Sequence, residues 1–279
     1  MARTRRFDWS NLWLRIVSGA ILAPATLALA WFHPGLFLIG VAVAVSVLSL
    51  EWAVMVAPAA PARVAIAMTA SILAVTFLGY GGFVRSAIAM IVFGALVTAI
   101  VSRGVTERRA DAAYGIFYIA PACLAIVWLR NTPQGDGWTV MLFATTWAAD
   151  ICAFGVGNAF KGPKLWPRFS PNKTWSGFFG GLLGGAAAAV AVPGLPVLPH
   201  GQPLLHLSLV GAAIIGIAAS LATMMGDLWE SMLKRRFGVK DSGDLIPGHG
   251  GLLDRVDGLM FAAVVFAAAR LIVHYGWAH

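Results

Sequence analysis

Charge is what this chain has least of. Aspartate, glutamate, lysine and arginine together supply 11% of its 279 residues, where soluble domains carry about 25%. Apolar residues take up 59%, which excludes an ordinary soluble domain and points to a chain that uses a bilayer as its solvent. Cysteine is nearly missing: Cys123 and Cys152 lie far apart in separate apolar segments, which argues against a disulfide or a thiolate metal site. The polar mature region that should follow a signal peptide is also missing. Apolar segments recur to the last residues, so the first one reads as a retained span. Acidic residues number only 12, and half of them (Asp227, Glu230, Asp241, Asp244, Asp254 and Asp257) fall in one short segment near the carboxyl end. An apolar chain that concentrates its carboxylates in one place is holding something charged there.

A membrane-crossing helix needs about 20 apolar residues. On that ruler the sequence predicts nine spans, at 13–32, 36–56, 64–80, 84–102, 114–130, 138–157, 177–195, 207–226 and 256–275. Turn formers separate them, as in His33-Pro34-Gly35, Pro58 to Pro61 and Pro133 to Gly137. The expected fold is therefore all-α, a polytopic integral membrane protein. Residues 1–135 would supply the first five spans, and 136–279 a catalytic region with two charged loops.

Basic residues orient such a chain, because loops rich in Lys and Arg stay on the cytoplasmic side. Arg3, Arg5, Arg6 and Arg15, then Arg63, then Arg103, Arg108 and Arg109 fall on one face of a nine-span protein. Lys161, Lys164, Arg168 and Lys173 join them, as do Lys234, Arg235, Arg236, Lys240 and Arg255. Only Arg85, Arg130 and Arg270 belong on or near the other face. The expected amino terminus and both long basic loops are cytoplasmic, and the carboxyl terminus lies outside. The net charge of +8 then reflects topology, and no nucleic-acid partner is expected. Of the histidines, His249 alone sits in a cytoplasmic charged segment; His33, His200, His206, His274 and His279 sort to the outer face.

Two constellations could carry chemistry. In the first, Asp254 and Asp257 stand three apart at the opening of the last span, on one face of a helix start. Asp227 and Glu230 have the same spacing at the close of the preceding span. Two helix ends with paired acids could converge on a divalent cation and leave positions open for phosphate oxygens. The same residues could instead be helix caps. Between them, Pro247-Gly248-His249-Gly250-Gly251 surrounds one histidine with glycines, so that backbone N–H groups could approach a ligand closely.

The second constellation runs from 150 to 181. Asp150 is an ionisable group in an apolar span and a functional candidate for that reason. Ser170, Lys173 and Thr174 offer two hydroxyls and an ammonium to a phosphate, although a positive-inside loop alone would explain the lysines. Glu51, near the cytoplasmic end of the second span, is a third candidate, although it could simply pair with a loop arginine.

The segment from Ser231 to Asp257 resembles the signature of phosphatidate cytidylyltransferases, also called CDP-diacylglycerol synthases. The matching residues are Ser231, Lys234, Arg235, Lys240, Asp241, Ser242, Leu245, Pro247, His249, Gly250, Gly251, Asp254, Arg255 and Asp257. Gly226-Asp227 fits upstream, as do Asp150 and Ser170-Pro171 with Lys173-Thr174-Trp175. Ser176 stands where an acid is expected and Asn172 where lysine is usual.

The resemblance implies transfer of the cytidylyl group of CTP to phosphatidate, releasing pyrophosphate. It implies Mg2+, alone or with a second cation, on Asp227, Asp254 and Asp257, with Lys240 beside them in the catalytic set. Asp150, Ser170, Lys173, Thr174, Ser231, Lys234, Arg235, Asp241, His249, Gly250, Gly251 and Arg255 would contact the substrates. It further implies membrane lipids as surroundings, a homodimer, and a site facing the cytoplasm from the bacterial inner membrane.

Two other readings compete. A CTP-dependent polyprenol or phytol kinase would use the γ-phosphate, and the long signature weighs against it. A transporter would place charge at the bilayer midplane, whereas here the charge gathers at one face and only Asp150 lies deep.

Overall fold

In a bilayer an apolar run must satisfy its own N–H and C=O groups, and a helix does this within a single segment. The computed structural model, which describes residues 23–167, 170–197, 202–203, 205, 207–243 and 250–276, is helical wherever a long apolar segment falls within those residues. Among the described residues eight helices are long and apolar enough to cross a membrane. They are α2 (Pro34–Val56), α3 (Pro61–Tyr80), α4 (Val84–Val101), α5 (Arg109–Asn131), α6 (Gly135–Phe160), α7 (Trp175–Ala191), α8 (Leu209–Arg236) and α9 (Leu253–Gly276). A shorter apolar helix, α1 (Ala23–Phe32), precedes them. The chain breaks at His33, whose Nδ1 accepts the Gly35 N–H at 3.0 Å and caps α2. The first half of the expected span 13–32, with the arginines before it, lies outside the described residues.

Expected spans two to seven and span nine coincide with helices to within a few residues. The eighth needs correction: α8 does not close at 226 but runs on to Arg236. Lys234, Arg235 and Arg236 occupy its last turn, where cations favour the negative end of the helix dipole. Glu230 and Lys234 add an i,i+4 ion pair at 2.6 Å. Asp227, Glu230, Ser231, Lys234 and Arg235 therefore ride on one rigid helix instead of spilling into a loop. The expected loop between α6 and α7 also holds two strands. Strands β1 (Lys164–Trp166) and β2 (Ser170–Thr174) pair antiparallel, with Lys164 opposite Thr174 and Trp166 opposite Ser170. A second two-residue ribbon, β3 (Pro196–Val197) with β4 (Gln202–Pro203), follows α7.

One end of the bundle gathers the charged groups. The end of α2 meets the start of α9 through Glu51, the start of α5 meets the end of α8 through Asp111 and Arg236, and β2 meets α8 through Lys173 and Asp227. At the opposite end the buried Arg130 donates to the carbonyls of Ala30 and Trp31, which lose their helical partners where α1 breaks. Asn131 donates there to the Tyr80 carbonyl, at 2.9 Å. The two halves of the chain share their packing. One core cluster joins Trp52 of α2, Met68 of α3 and Ile116 of α5 to Leu233 of α8 and to Leu253 and Met260 of α9. Large apolar side chains such as Ile39, Val43, Phe93, Leu183 and Ile214 point outward, as a surface solvated by lipid requires.

Candidate active site

The centre of the charged end is built by two glycines. At the crossing of α8 and α9, a Cβ on Gly226 would stand 2.5 Å from the Asp257 carbonyl oxygen and 3.0 Å from the Gly258 Cα. A Cβ on Gly258 would stand 2.7 Å from Thr223 Cγ2. Any side chain at either position would push the helices apart. Because Gly226 precedes Asp227 and Gly258 follows Asp257, the close crossing brings these two acids together.

Asp257 is buried, and its Oδ1 accepts the Gly258 N–H at 2.7 Å. Asp227 is partly exposed and paired with Lys173 of β2. Asp150 joins them from α6, which α7 approaches closely: a Cβ on Gly181 would lie 2.9 Å from the Ala149 carbonyl oxygen. The carboxylates of Asp150, Asp227 and Asp257 are within electrostatic reach of one another, and Lys173 and Arg255 are within reach of Asp150. Among the described residues, the Tyr118 hydroxyl is buried here without a hydrogen-bond partner, and Tyr118 and Glu230 both act electrostatically with Asp257. Like charges held together, with a polar atom left over, suit a place that a cation completes.

The expected metal trio is divided, however. Both oxygens of Asp254 are committed elsewhere. Oδ1 pairs with Lys234, which also holds Glu230. Oδ2 accepts from Ser242 N and Ser242 Oγ at 3.0 Å each and from Gly251 N at 3.1 Å. Asp254 thus ties α8, the signature loop and α9 together. Among the described residues no three Asp, Glu, His or Cys side chains stand ready-made around one metal position.

Glu51 is the residue whose role sequence reasoning missed. Its Oε1 accepts from Leu252 N at 2.7 Å and its Oε2 from Leu253 N at 2.7 Å, while the Ser242 hydroxyl, whose single proton Glu51 shares with Asp254, lies 3.2 Å from Oε2. It pairs with no loop arginine among the described residues. The only signal in the sequence is an acid inside an apolar span. With Glu51 and Asp254 in place, the N–H groups of Ser242, Gly251, Leu252 and Leu253 already have carboxylate acceptors. Of the glycine turn expected to offer its N–H groups to a ligand, Gly251 gives its own to Asp254. Gly250 has φ +81°, a left-handed conformation that favours glycine.

The remaining expected residues spread around this centre. Thr174 caps α7, accepting the Gly177 N–H at 3.2 Å, and its hydroxyl lies 3.0 Å from that of Ser176. Ser176, in place of the expected acid, donates to the Lys161 carbonyl and so pins the hairpin to the end of α6. Ser170 is half-buried at the start of β2, and Ser231 half-buried on α8. Arg235, Lys240, Asp241 and Arg255 are exposed at the same end. His249, with residues 244–248, lies outside the described residues. An aromatic wall closes the α2–α5 side. The Trp52 ring lies 5.9 Å from Tyr114, 5.5 Å from Tyr118 and 5.7 Å from Phe237, and its Nε1 donates to the Asp111 carbonyl at 3.0 Å.

Comparison with known proteins identifies the family. Residues 13–273 match the model of the cytidylyltransferase family. A phosphatidate cytidylyltransferase of Brucella suis biovar 1 is 36% identical over 261 residues, covering 92% of each chain. One from Rickettsia felis is 30% identical over 260 residues, again 92% of each. One from Pseudomonas aeruginosa is 39% identical over 163 residues, 58% of this chain and 57% of the other.

Proposed function

The chain belongs to the cytidylyltransferase family, and we propose that it transfers the cytidylyl group of CTP to phosphatidate, giving CDP-diacylglycerol and pyrophosphate. The observation that carries this reading is the cluster of carboxylates at one end of a largely apolar bundle. There Asp150, Asp227 and Asp257 face Lys173 and Arg255. A lipid phosphate lies at the membrane surface and CTP arrives from water, so their reaction needs a site at helix ends. The positive-inside pattern supports assigning that end to the cytoplasm, in a bacterial inner membrane.

A phosphate oxygen of phosphatidate attacks the α-phosphorus of CTP, the bond to the β-phosphate oxygen breaks, and pyrophosphate leaves. No covalent enzyme intermediate is required, and the work is positioning and charge neutralisation. Lys173 stands beside Asp227 and can turn its ammonium to a phosphate. Arg235, Lys240 and Arg255 are exposed cations that can neutralise the triphosphate. Lys234 is engaged by Glu230 and Asp254, and it holds the frame in which Asp257 sits. Asp227 and Asp257, with Asp150 near, are the hard oxygen donors that fit Mg2+. When bound, the ion would relieve repulsion between the two polyanionic substrates.

The test is purified protein in detergent with phosphatidate and CTP labelled at the α-phosphate. Label must enter a lipid product, with CTP preferred among the four nucleotides. Label that enters lipid only from the γ-position would establish a kinase instead.

A further inference from the structure

Glu51 lies on α2, in the half of the chain that carries none of the signature, yet its carboxylate sits inside the signature. Three donors converge on it, two of them backbone amides at 2.7 Å, within the range of charge-assisted bonds. Leu253 opens α9, so Glu51 satisfies N–H groups that the helix start leaves unpaired and places a negative charge at the positive end of its dipole. The site is shaped to the residue. A Cβ on Gly251 would lie 2.8 Å from Glu51 Oε2, and one on Gly243 would lie 3.3 Å from Glu51 Cγ and Oε1. Gly251, which reads as part of a ligand loop in the sequence, and Gly243 are thus where Glu51 enters. Ser242 completes the connection: its hydroxyl lies 3.2 Å from Glu51 Oε2 and 3.0 Å from Asp254 Oδ2.

We propose that Glu51 is a positioning residue for cytidylyl transfer. It touches no substrate. It latches the signature loop and the first turn of α9 onto α2, and through Ser242 and Asp254 it fixes the register of α9 against α8. That register sets where Asp257 stands beside Asp227. The inference rests on the catalytic reading above for its consequence, and on the hydrogen bonds alone for the latch. A group misplaced by about 1 Å can cost about a hundredfold in rate, so the loss belongs in kcat and not in KM.

The experiment uses the full chain in detergent, with Glu51→Gln, Glu51→Ala, Ser242→Ala and the Glu51→Ala/Ser242→Ala double variant. Initial rates with phosphatidate and CTP give kcat and each KM, and hydrogen exchange is followed in peptides covering residues 241–256. Glu51→Ala should lower kcat about a hundredfold, with both KM values within about twofold of wild type. Glu51→Gln keeps one carbonyl acceptor and should fall between. Exchange in 241–256 should rise in both, and Ser242→Ala should cost little more once Glu51 is gone, because the two act through one latch. Wild-type kcat and exchange in Glu51→Gln, which preserves size and should fold, would overturn the proposal. So would losses that multiply in the double variant. A wild-type protein that forms no CDP-lipid would defeat the functional reading instead, and the exchange measurement would still decide the latch.

Discussion

Lys173 on the β-hairpin and Asp227 on α8 form an ion pair, so the cation expected to hold a phosphate is already matched to an acid expected to hold a metal. A partly exposed pair of this kind contributes only about 0–1 kcal/mol to stability. The hairpin is therefore not anchored by charge; Thr174 and Ser176 do that through the α7 cap and the Lys161 carbonyl. What the pair does is keep an ammonium beside the acidic centre.

If Lys173 exchanges Asp227 for a substrate phosphate, Lys173→Gln should leave the melting temperature nearly unchanged and lower turnover. One charge-assisted bond of about 1.5–3 kcal/mol corresponds to a drop of roughly ten- to a hundredfold. Lys240→Gln, at an exposed position after α8, should behave alike. Swapping the pair, Lys173→Asp with Asp227→Lys, restores the attraction and should not restore activity. Near-normal turnover in both glutamine variants would return these lysines to topology alone.

The glycine crossing makes a prediction of the opposite kind. Gly226→Ala and Gly258→Ala each insert a methyl group into helix-to-helix contact. Overpacking of this sort costs about 1–3 kcal/mol, so the melting temperature in detergent should fall and activity with it. Gly155→Ala, where a Cβ would meet nothing within 4 Å, is the control and should be silent. Equal melting of all three would mean that the crossing does not set the position of Asp227 and Asp257.

Much of this was legible in the sequence because bilayer solvation leaves a chain few choices. Hydropathy located the described helices, and the one large error, the end of α8, is instructive. Hydropathy reports where lipid-compatible residues stop. The helix continues because its last turns carry their own stabilisation, with Glu230 against Lys234 and cations at the carboxyl end. The hairpin at 164–174 was hidden by Pro163, Pro167 and Pro171, which read as loop. The acids of α8 and α9 were visible as chemistry, but their division of labour was not. Nothing in the spacing of Asp254 and Asp257 says that one turns to Lys234 and Ser242 while the other faces Asp227 and Asp150. Glu51 was visible only as an oddity, since its partners lie in the other half of the chain.

The orientation proposed from the lysines and arginines can be checked directly. In a background lacking Cys123 and Cys152, single cysteines at Leu165 and Lys240 should react with an impermeant maleimide only from the cytoplasmic side. One at His200 should react only from outside. Labelling of 200 and 240 from the same side would overturn the nine-span topology and the placement of the site.

The last prediction separates two acids that the sequence treats as equals. Asp257 is buried within reach of Asp227, Glu230 and Asp150, so without metal its charge is opposed by like charges. Asp257→Asn removes that repulsion while keeping shape. The variant should melt at the wild-type temperature or above it in chelator, yet lose turnover and any rise in melting temperature that Mg2+ gives the wild type. Asp254 is the reverse. Its carboxylate accepts from Lys234, Ser242 and Gly251, and an asparagine there would point an amide N–H at Lys234 or at the loop donors. Leaving such groups unsatisfied costs about 1–3 kcal/mol, so Asp254→Asn should melt lower in chelator. What folded protein remains should still gain stability from Mg2+. Chelation should abolish wild-type activity and Mg2+ restore it. If Asp254→Asn loses the Mg2+ response while keeping its melting temperature, the metal sits on Asp254, and the division of the two acids drawn from their hydrogen bonds is wrong.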